Sequence, residues 1–480
     1  MKSSSVISNL IWKFGERISA QVVTLFVSII LARLLSPSDY GAIALVTVFI
    51  TIANVFVVNG FGTALIQKKN ADNLDFSSVF YANVLFSLVL YALLFVLSPY
   101  VASFYKMDIL SPVMRVLSIR IPIAAVNSVQ QAYVSRNMMF KKFFFSTLFG
   151  TLLSGIVGCL MAFKGFGIWA LVGQYLTNTT VDTMVLWFTV RWRPELKFSL
   201  SRVKILLSYG WKLLLSGLLD TGYQQLRSLI IGKKYTSSDL AYYNQGQKYP
   251  ELVVVNINAS ISSVLFPAIS RSQDDINKVK SMTRRAINVS SFIMWPLMIG
   301  LMIIASPLIS LMLTDKWLEC VPYLQIACFT YGFWPIHTAN LEALKAIGRS
   351  DLFLKLEIAK KIIGITVLLL SMNFGVLAIA LSGVLTTITS CFINAYPNTK
   401  ILKYKYSEQF KDILSNMAAA ILMGILIYPI KYLIVNKFLL ILVQVILGTI
   451  FYILLSKAFK LESFYYIINM VKERLANRRG

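Results

Sequence analysis

Charged and amide side chains recur at helical spacing inside apolar segments of this chain. In the first such segment Lys13, Arg17, Gln21, Thr24 and Ser28 follow at intervals of three and four residues, which puts them on one face of a helix. Asp220, Gln224 and Arg227 form a second stripe, Asn244, Lys248 and Glu251 a third, and Arg120, Asn127 and Gln131 a fourth. Planar guanidinium groups grip anionic oxygens bidentately, while amides and hydroxyls suit neutral hydroxyl groups. Such stripes suit an anionic, hydroxyl-bearing ligand, and equally a set of structural pairs in which Glu16, Asp220 and Glu251 neutralise nearby bases. Arg17, Gln21, Arg120, Gln224, Arg227 and Lys248 are the candidate binding residues for such a ligand. Arg17 and Arg227 lead, because a guanidinium stays charged at any accessible pH. Lys13, Arg115 and Lys212 lie near segment ends, where a long basic side chain snorkels to the interface.

Four acids, Asp182, Asp220, Glu251 and Glu342, are candidates for coupling to a cation, H⁺ or Na⁺, or for balancing neighbouring bases. His337, the sole histidine, lies five residues before Glu342, but beside Pro335 a packed, hydrogen-bonded imidazole is the simpler expectation. Glu357 with Lys360 and Lys361 reads as ordinary pairing along a helix. Asp39 and Asp239 read as helix caps. Cys159, Cys320, Cys328 and Cys391 have no metal-ligand spacing and read as packing residues. No cofactor, metal or nucleotide site is expected.

The elements that carry these residues must be membrane helices. Of 480 residues 57% are hydrophobic and 14% charged, with a mean hydropathy of +0.69. Soluble domains carry about 25% charged residues, so neither a soluble nor a disordered chain fits. The net charge of +25 would suit nucleic acid, but the basic residues sit in short loops between apolar spans. A crossing helix needs about 20 mostly apolar residues. Fourteen such segments are expected, at 12–34, 40–62, 77–100, 112–134, 143–163, 166–189, 209–231, 240–266, 286–308, 320–344, 353–372, 374–396, 413–434 and 438–456. Only eight of the 46 Lys and Arg fall at the odd-numbered loops, and nine lie within spans. The rest crowd the termini and even-numbered loops, which places both termini in the cytoplasm. The first span carries Lys13, Glu16 and Arg17 and reads as a retained helix rather than a signal peptide. Residues 196–207 (LKFSLSRVKILL) mix basic and apolar positions at helical spacing, as an amphipathic cytoplasmic helix would.

Two hairpins match at an offset of 200: LARLLSPSDYG at 31–41 and IGKKYTSSDLA at 231–241. A second echo pairs FGIWAL at 166–171 with FGVLAI at 374–379. Six spans separate the copies, so both enter the membrane in the same direction. The expected fold is therefore an all-α integral membrane protein with about 14 transmembrane helices, in two pseudo-symmetric six-helix lobes plus a C-terminal helix pair. The domains are an N-terminal lobe at 1–195, an amphipathic linker and C-terminal lobe at 196–396, and the last two helices with a basic tail at 397–480. Repeats of this orientation place the substrate site between the lobes.

The ARLLSPSDYG hairpin, the QQAYVSRNMMFKK stretch at 130–142 and the FGIWAL start of the sixth span resemble Wzx-type bacterial polysaccharide flippases. These belong to the multidrug, oligosaccharidyl-lipid and polysaccharide exporter superfamily, and the similarity runs along the whole chain. The resemblance implies flipping of an undecaprenyl-diphosphate-linked oligosaccharide from the cytoplasmic to the outer leaflet of the bacterial inner membrane. It also implies a polysaccharide polymerase and a chain-length regulator as partners. A cation-coupled multidrug exporter of the same superfamily is the alternative, but it would want acids where these spans lean basic. A membrane glycan polymerase or ligase would want a large outer loop, and every odd-numbered loop here is short. No enzyme is expected.

Overall fold

The computed structural model describes residues 3–59 and 61–476, with the side chains of 3–11, 13, 14 and 17 among those outside the description. It is all-helical among the described residues, and the chain divides into two compact units, Met1–Ala241 and Tyr242–Gly480.

In the first unit the helices run α1 (Ser3–Leu34), α2 (Pro37–Asn59), α3 (Phe61–Gln67), α4 (Asn73–Tyr105), α5 (Leu110–Leu117), α6 (Arg120–Arg136), α7 (Phe140–Phe163), α8 (Ile168–Thr189) and α9 (Leu200–Lys234). Helix α7 lies between α1 and α8, and α6 joins α8, α4 and α2. A buried apolar knot of Leu65, Phe76, Val79, Val129, Leu186, Trp192 and Leu206 ties the ends of α3, α4, α6, α8 and α9 together. Asp75, fully buried, closes it by pairing with Lys68 at 2.6 Å and Arg202 at 3.2 Å. Asp72 and Asp75 form a reciprocal capping box at the start of α4. The Asp75 backbone N–H, and after it the Arg202 guanidinium, hold the Asp72 carboxyl below the usual carboxylate range. The amphipathic stretch at 196–207 is not a separate helix from residue 200 onward. It forms the first turns of α9, with Val203 and Leu206 in the apolar knot and Arg202 on the acids of α4.

The second unit continues with α10 (Ser237–Ser270), which begins just before its boundary, α11 (Ile276–Leu313), α12 (Val321–Gly332), α13 (Trp334–Ala346), α14 (Ser350–Ser371), α15 (Val376–Ile401), α16 (Tyr406–Ile427), α17 (Lys437–Ala458) and α18 (Glu462–Ala476). Helix α11 is its spine and packs on α12, α13, α16, α17 and α18. Trp295 is fully buried there, edge-on to Phe333 at 5.1 Å between ring centres.

Each of the fourteen expected segments lies mostly on helix among the described residues, although the second runs past the end of α2 into α3 and the thirteenth passes beyond the end of α16 at Ile427. The fourth and tenth are each broken in two, α5–α6 near Ser118 and α12–α13 at Phe333. Pro122 and Pro335 follow these breaks, and each removes a backbone N–H from the helix ladder. Nine helices among the described residues are long and apolar enough to cross a membrane. Their outward faces are apolar: Leu85, Val89 and Val96 on α4, and Val445, Ile446 and Leu454 on α17, are about half exposed or more. A hydrocarbon solvent makes such a surface stable, and the chain is a multi-pass membrane protein.

Three positive-φ backbone positions recur between the halves, though not with the same ψ throughout: Lys106 with Thr314, Met138 with Gly348, and Gly167 with Gly375, at offsets of 208, 210 and 208. The two hairpins that match in sequence also match in hydrogen bonding. Asp39 Oδ2 accepts from the Ser36 hydroxyl at 2.6 Å and the Ser36 N–H at 3.2 Å; Asp239 Oδ2 accepts from the Thr236 hydroxyl at 2.6 Å and its N–H at 3.0 Å. Both aspartates sit in helix first turns but are not the N-caps themselves: Ser36 and Thr236 are, accepting from the Asp39 and Asp239 N–H at 3.2 and 3.1 Å, and each carboxylate is the return arm of a capping box.

Candidate functional site

Within the first unit the polar residues of α6, α7 and α8 converge. Asp182 accepts a hydrogen bond from Asn127 Nδ2 at 2.6 Å on one carboxylate oxygen and from the Ser146 hydroxyl at 2.5 Å on the other. Gln131 Nε2 stands 3.5 Å from the first of these oxygens. Among the described residues no Lys or Arg pairs with Asp182, so its charge is held by neutral donors alone. Gly150 lets α7 approach this close: a Cβ there would sit 3.3 Å from the Asn178 carbonyl and 3.5 Å from Asp182 itself. Further along α6, Arg120 donates from Nε to the Thr179 hydroxyl at 2.9 Å and lies 5.2 Å from the Tyr175 ring centre. Arg120 and Asp182, expected separately as binding and coupling residues, thus share one α6–α8 seam. Asn127 and Gln131 belong to the stripe visible in the sequence, whereas Ser146, Tyr175 and Thr179 were not singled out. The four- and three-residue steps Tyr175–Thr179–Asp182 were the signal for the last two.

Other candidates have different surroundings. The Arg17 side chain lies outside the described residues. Its neighbour Glu16 accepts from the Thr147 hydroxyl at 3.0 Å, which turns that part of α1 toward α7. Gln21 is half-buried on α1. On α9 Gln224 is exposed and donates to Asp220 at 2.9 Å, a one-turn pair. Arg227 is half-buried, with its Nε enclosed and bonded to no acceptor. A guanidinium nitrogen in that state has lost water without gaining a partner, which is unfavourable unless a ligand supplies one.

In the second unit Lys248 is half-buried on α10, and no carboxylate pairs with it among the described residues. Glu251, one turn on, is exposed. Glu342 is buried but already engaged, accepting from Lys345 and from the Ser262 hydroxyl, each at 3.2 Å. His337 contacts Asn394 at 3.0 Å and Cys391 at 3.5 Å, the packed arrangement expected of it. Glu357 pairs with Lys360. The four cysteines are free, and three of them are buried.

Membrane-length helices, half-buried cations and an acid held by neutral donors define a polytopic membrane protein with polar groups set among its helices. The chain belongs to the family of polysaccharide biosynthesis proteins, whose family model matches residues 30–322. It is similar to the succinoglycan biosynthesis transport protein ExoT of Rhizobium meliloti, 24% identical over 67% of this chain and 65% of that one, just under two thirds of the relative's length. It is also similar to the teichuronic acid biosynthesis protein TuaB of Bacillus subtilis, 23% identical over 79% of each chain. In fold it resembles the lipid II flippase MurJ in an inward closed conformation, with a TM-score of 0.76, 17% identity and coverage of 94% of this chain and 98% of that one.

Proposed function

We propose that the protein flips an undecaprenyl-diphosphate-linked oligosaccharide from the cytoplasmic to the outer leaflet of the bacterial inner membrane by alternating access, without catalysing a covalent step. Family membership and the named transport and biosynthesis roles of the relatives support this reading. The observation that carries it is the state of Arg227, half-buried on α9 with its Nε bonded to no acceptor, together with Lys248 on membrane-length α10, which no carboxylate pairs with among the described residues. A diphosphate carries the complementary charge, and charge-assisted hydrogen bonds to it would complete the enclosed Arg227 nitrogen. Arg17, Gln21, Arg120 and Gln224 are assigned to the same diphosphate and sugar contacts.

Asp182 is the acid we assign to a coupling cation, because neutral donors leave its charge free for one. Glu342 already has Lys345, while Asp220 and Glu251 are exposed and suit charge balance. The two-lobe scheme with boundaries at 1–195, 196–396 and 397–480 follows internal likeness, and the recurring positive-φ positions and paired caps support it. Fourteen crossings, cytoplasmic termini, and a polymerase and chain-length regulator downstream complete the proposal.

The test is deletion of the gene followed by mass spectrometry of lipid-linked intermediates in the host. Accumulation of one complete, unpolymerised undecaprenyl-diphosphate oligosaccharide is expected. An unchanged lipid pool with new sensitivity to cationic drugs would overturn the proposal in favour of a drug exporter.

A further inference from the structure

A cavity of about 610 Å³ opens in the second unit between α10 and α11, with Tyr466 of α18 at one end. Its walls are almost wholly apolar. Ile257 and Val264 come from one helix, Val289 and Ile293 from the other, and Val264 is 71% exposed. A groove of this kind within a bilayer must be filled by something apolar, since water there would leave its hydrogen bonds unmade. The single charged group in the lining is Arg285, whose guanidinium lies 4.6 Å from the Tyr466 ring centre.

The charges around the mouth are divided unequally. Arg284, the preceding residue, is saturated: Asp412 takes it at 2.9 Å and Glu462 at 3.1 Å. Tyr404 donates to the same Asp412 at 2.7 Å. No carboxylate among the described residues pairs with Arg285, which is exposed. The nearby acids are therefore consumed by one arginine, and the next is left as an uncompensated cation above an apolar slot.

The length of the slot selects its occupant. Its α10 wall runs from Asn256 to Ala268, about 18 Å at 1.5 Å per residue. That is close to one leaflet's half of a hydrocarbon core of about 30 Å. It fits one acyl chain of a membrane phospholipid, whereas an undecaprenyl chain is far longer than the slot. We infer that the α10–α11 groove is a binding site for an anionic phospholipid, with an acyl chain along Val264 and Ile293 and the phosphate on Arg285 beside Tyr466. The site is distinct from the residues assigned to the transported substrate, and it does not depend on what that substrate is.

The test is native mass spectrometry of the full-length protein in detergent, titrated with phosphatidylglycerol. Wild type is expected to retain one tight adduct. Arg285→Ala should weaken it by roughly tenfold or more, the loss of a hydrogen bond to a charged group. Val264→Trp should block it by filling the slot with charge unchanged, and Arg285→Lys should keep part of it. Arg271→Ala, on the loop joining the two helices, should leave it intact. Thermal midpoints without lipid check that each variant is folded. Equal losses in Arg271→Ala and Arg285→Ala would reduce the effect to general attraction of basic loops and overturn the site. Unchanged binding in Arg285→Ala and Val264→Trp, or displacement of phosphatidylglycerol by equimolar undecaprenyl phosphate, would overturn it as well.

Discussion

A cation inside a membrane costs roughly 2.5–3.5 kcal/mol on insertion scales, so its surroundings separate structural from functional use. Lys360 has Glu357 beside it and Lys345 has Glu342, and both pairs are satisfied locally. Arg227 has an enclosed Nε with no acceptor. Replacing it by Ala removes the cation without orphaning any partner, so the fold should tolerate the change. If the diphosphate binds there, Arg227→Ala should lower polymer export by roughly tenfold or more, the value of a charge-assisted hydrogen bond. Its level in the membrane should stay unchanged. Arg227→Lys should recover part of the activity, because charge remains while the bidentate fork is lost. Export by a complementation assay, with immunoblotting of the membrane fraction, decides the matter. Wild-type export in the Ala variant would remove Arg227 from the site.

At the scale of elements, the capped hairpins at 36–39 and 236–239 also meet in space. A Cβ built on Gly41 would lie 1.7 Å from the Ser237 carbonyl oxygen, and one on Gly232 would lie 2.3 Å from Leu45 Cδ2. The first collision is with backbone, which no change of rotamer relieves. Gly41→Val should therefore cost more than the 1–3 kcal/mol typical of an overpacked core or force the α2 and α10 starts apart. Its thermal midpoint in detergent should fall well below that of wild type. Gly62→Ala, on α3 with open space around it, should be neutral or slightly stabilising. Equal midpoints for the two variants would mean that the hairpin contact contributes nothing. This contact was invisible in the sequence, although both hairpins were recognised as a repeated pair. The same limit held at the acid site. The α6 stripe was legible because its residues share one helix. Ser146, however, reaches Asp182 only through packing across Gly150, and spacing along a single helix carries no information about a neighbour. The fourteen segments were legible because hydropathy is a local property. The breaks near Ser118 and at Phe333 depend on where a proline withdraws its N–H within an otherwise apolar run.

Taken over the whole molecule, polarity within the spans is unevenly distributed. Five of the fourteen expected segments lie outside the nine membrane-length apolar helices among the described residues: α8, α9, the α12–α13 pair, α14, and α1, whose described apolar run is Ile18–Leu34. Those helices hold Arg17, Gln21, Asp182, Asp220, Gln224, Arg227 and Glu342, most of the candidate site. On the proposed function, a transporter for a charged, hydroxylated cargo needs such helices, and the low hydropathy of those that hold candidate residues would follow from lining a polar path. The broken helices pose the sharper question, because α12 and α13 have only 12 and 13 residues. Each alone is too short to cross, while laid end to end they span about 38 Å. Single cysteines in a cysteine-free background distinguish a crossing from a re-entrant pair. With fourteen crossings, Cys at Lys106, Lys164, Lys316 or Val435 should react with an impermeant maleimide added outside intact cells. Cys at Asn137, Asp274, Ser350 or Lys403 should react only after permeabilisation. The pairs 106/137 and 316/350 bracket the two broken spans, so labelling of both members of a pair from outside would make that span re-entrant. The count would then drop, and every segment downstream of that span would change its sense of crossing. Under the duplication, the positive-φ positions at 106/314 and 138/348 make the two broken spans counterparts, which should behave alike. A split result, one crossing and one re-entrant, would therefore count against the duplication as well as the topology.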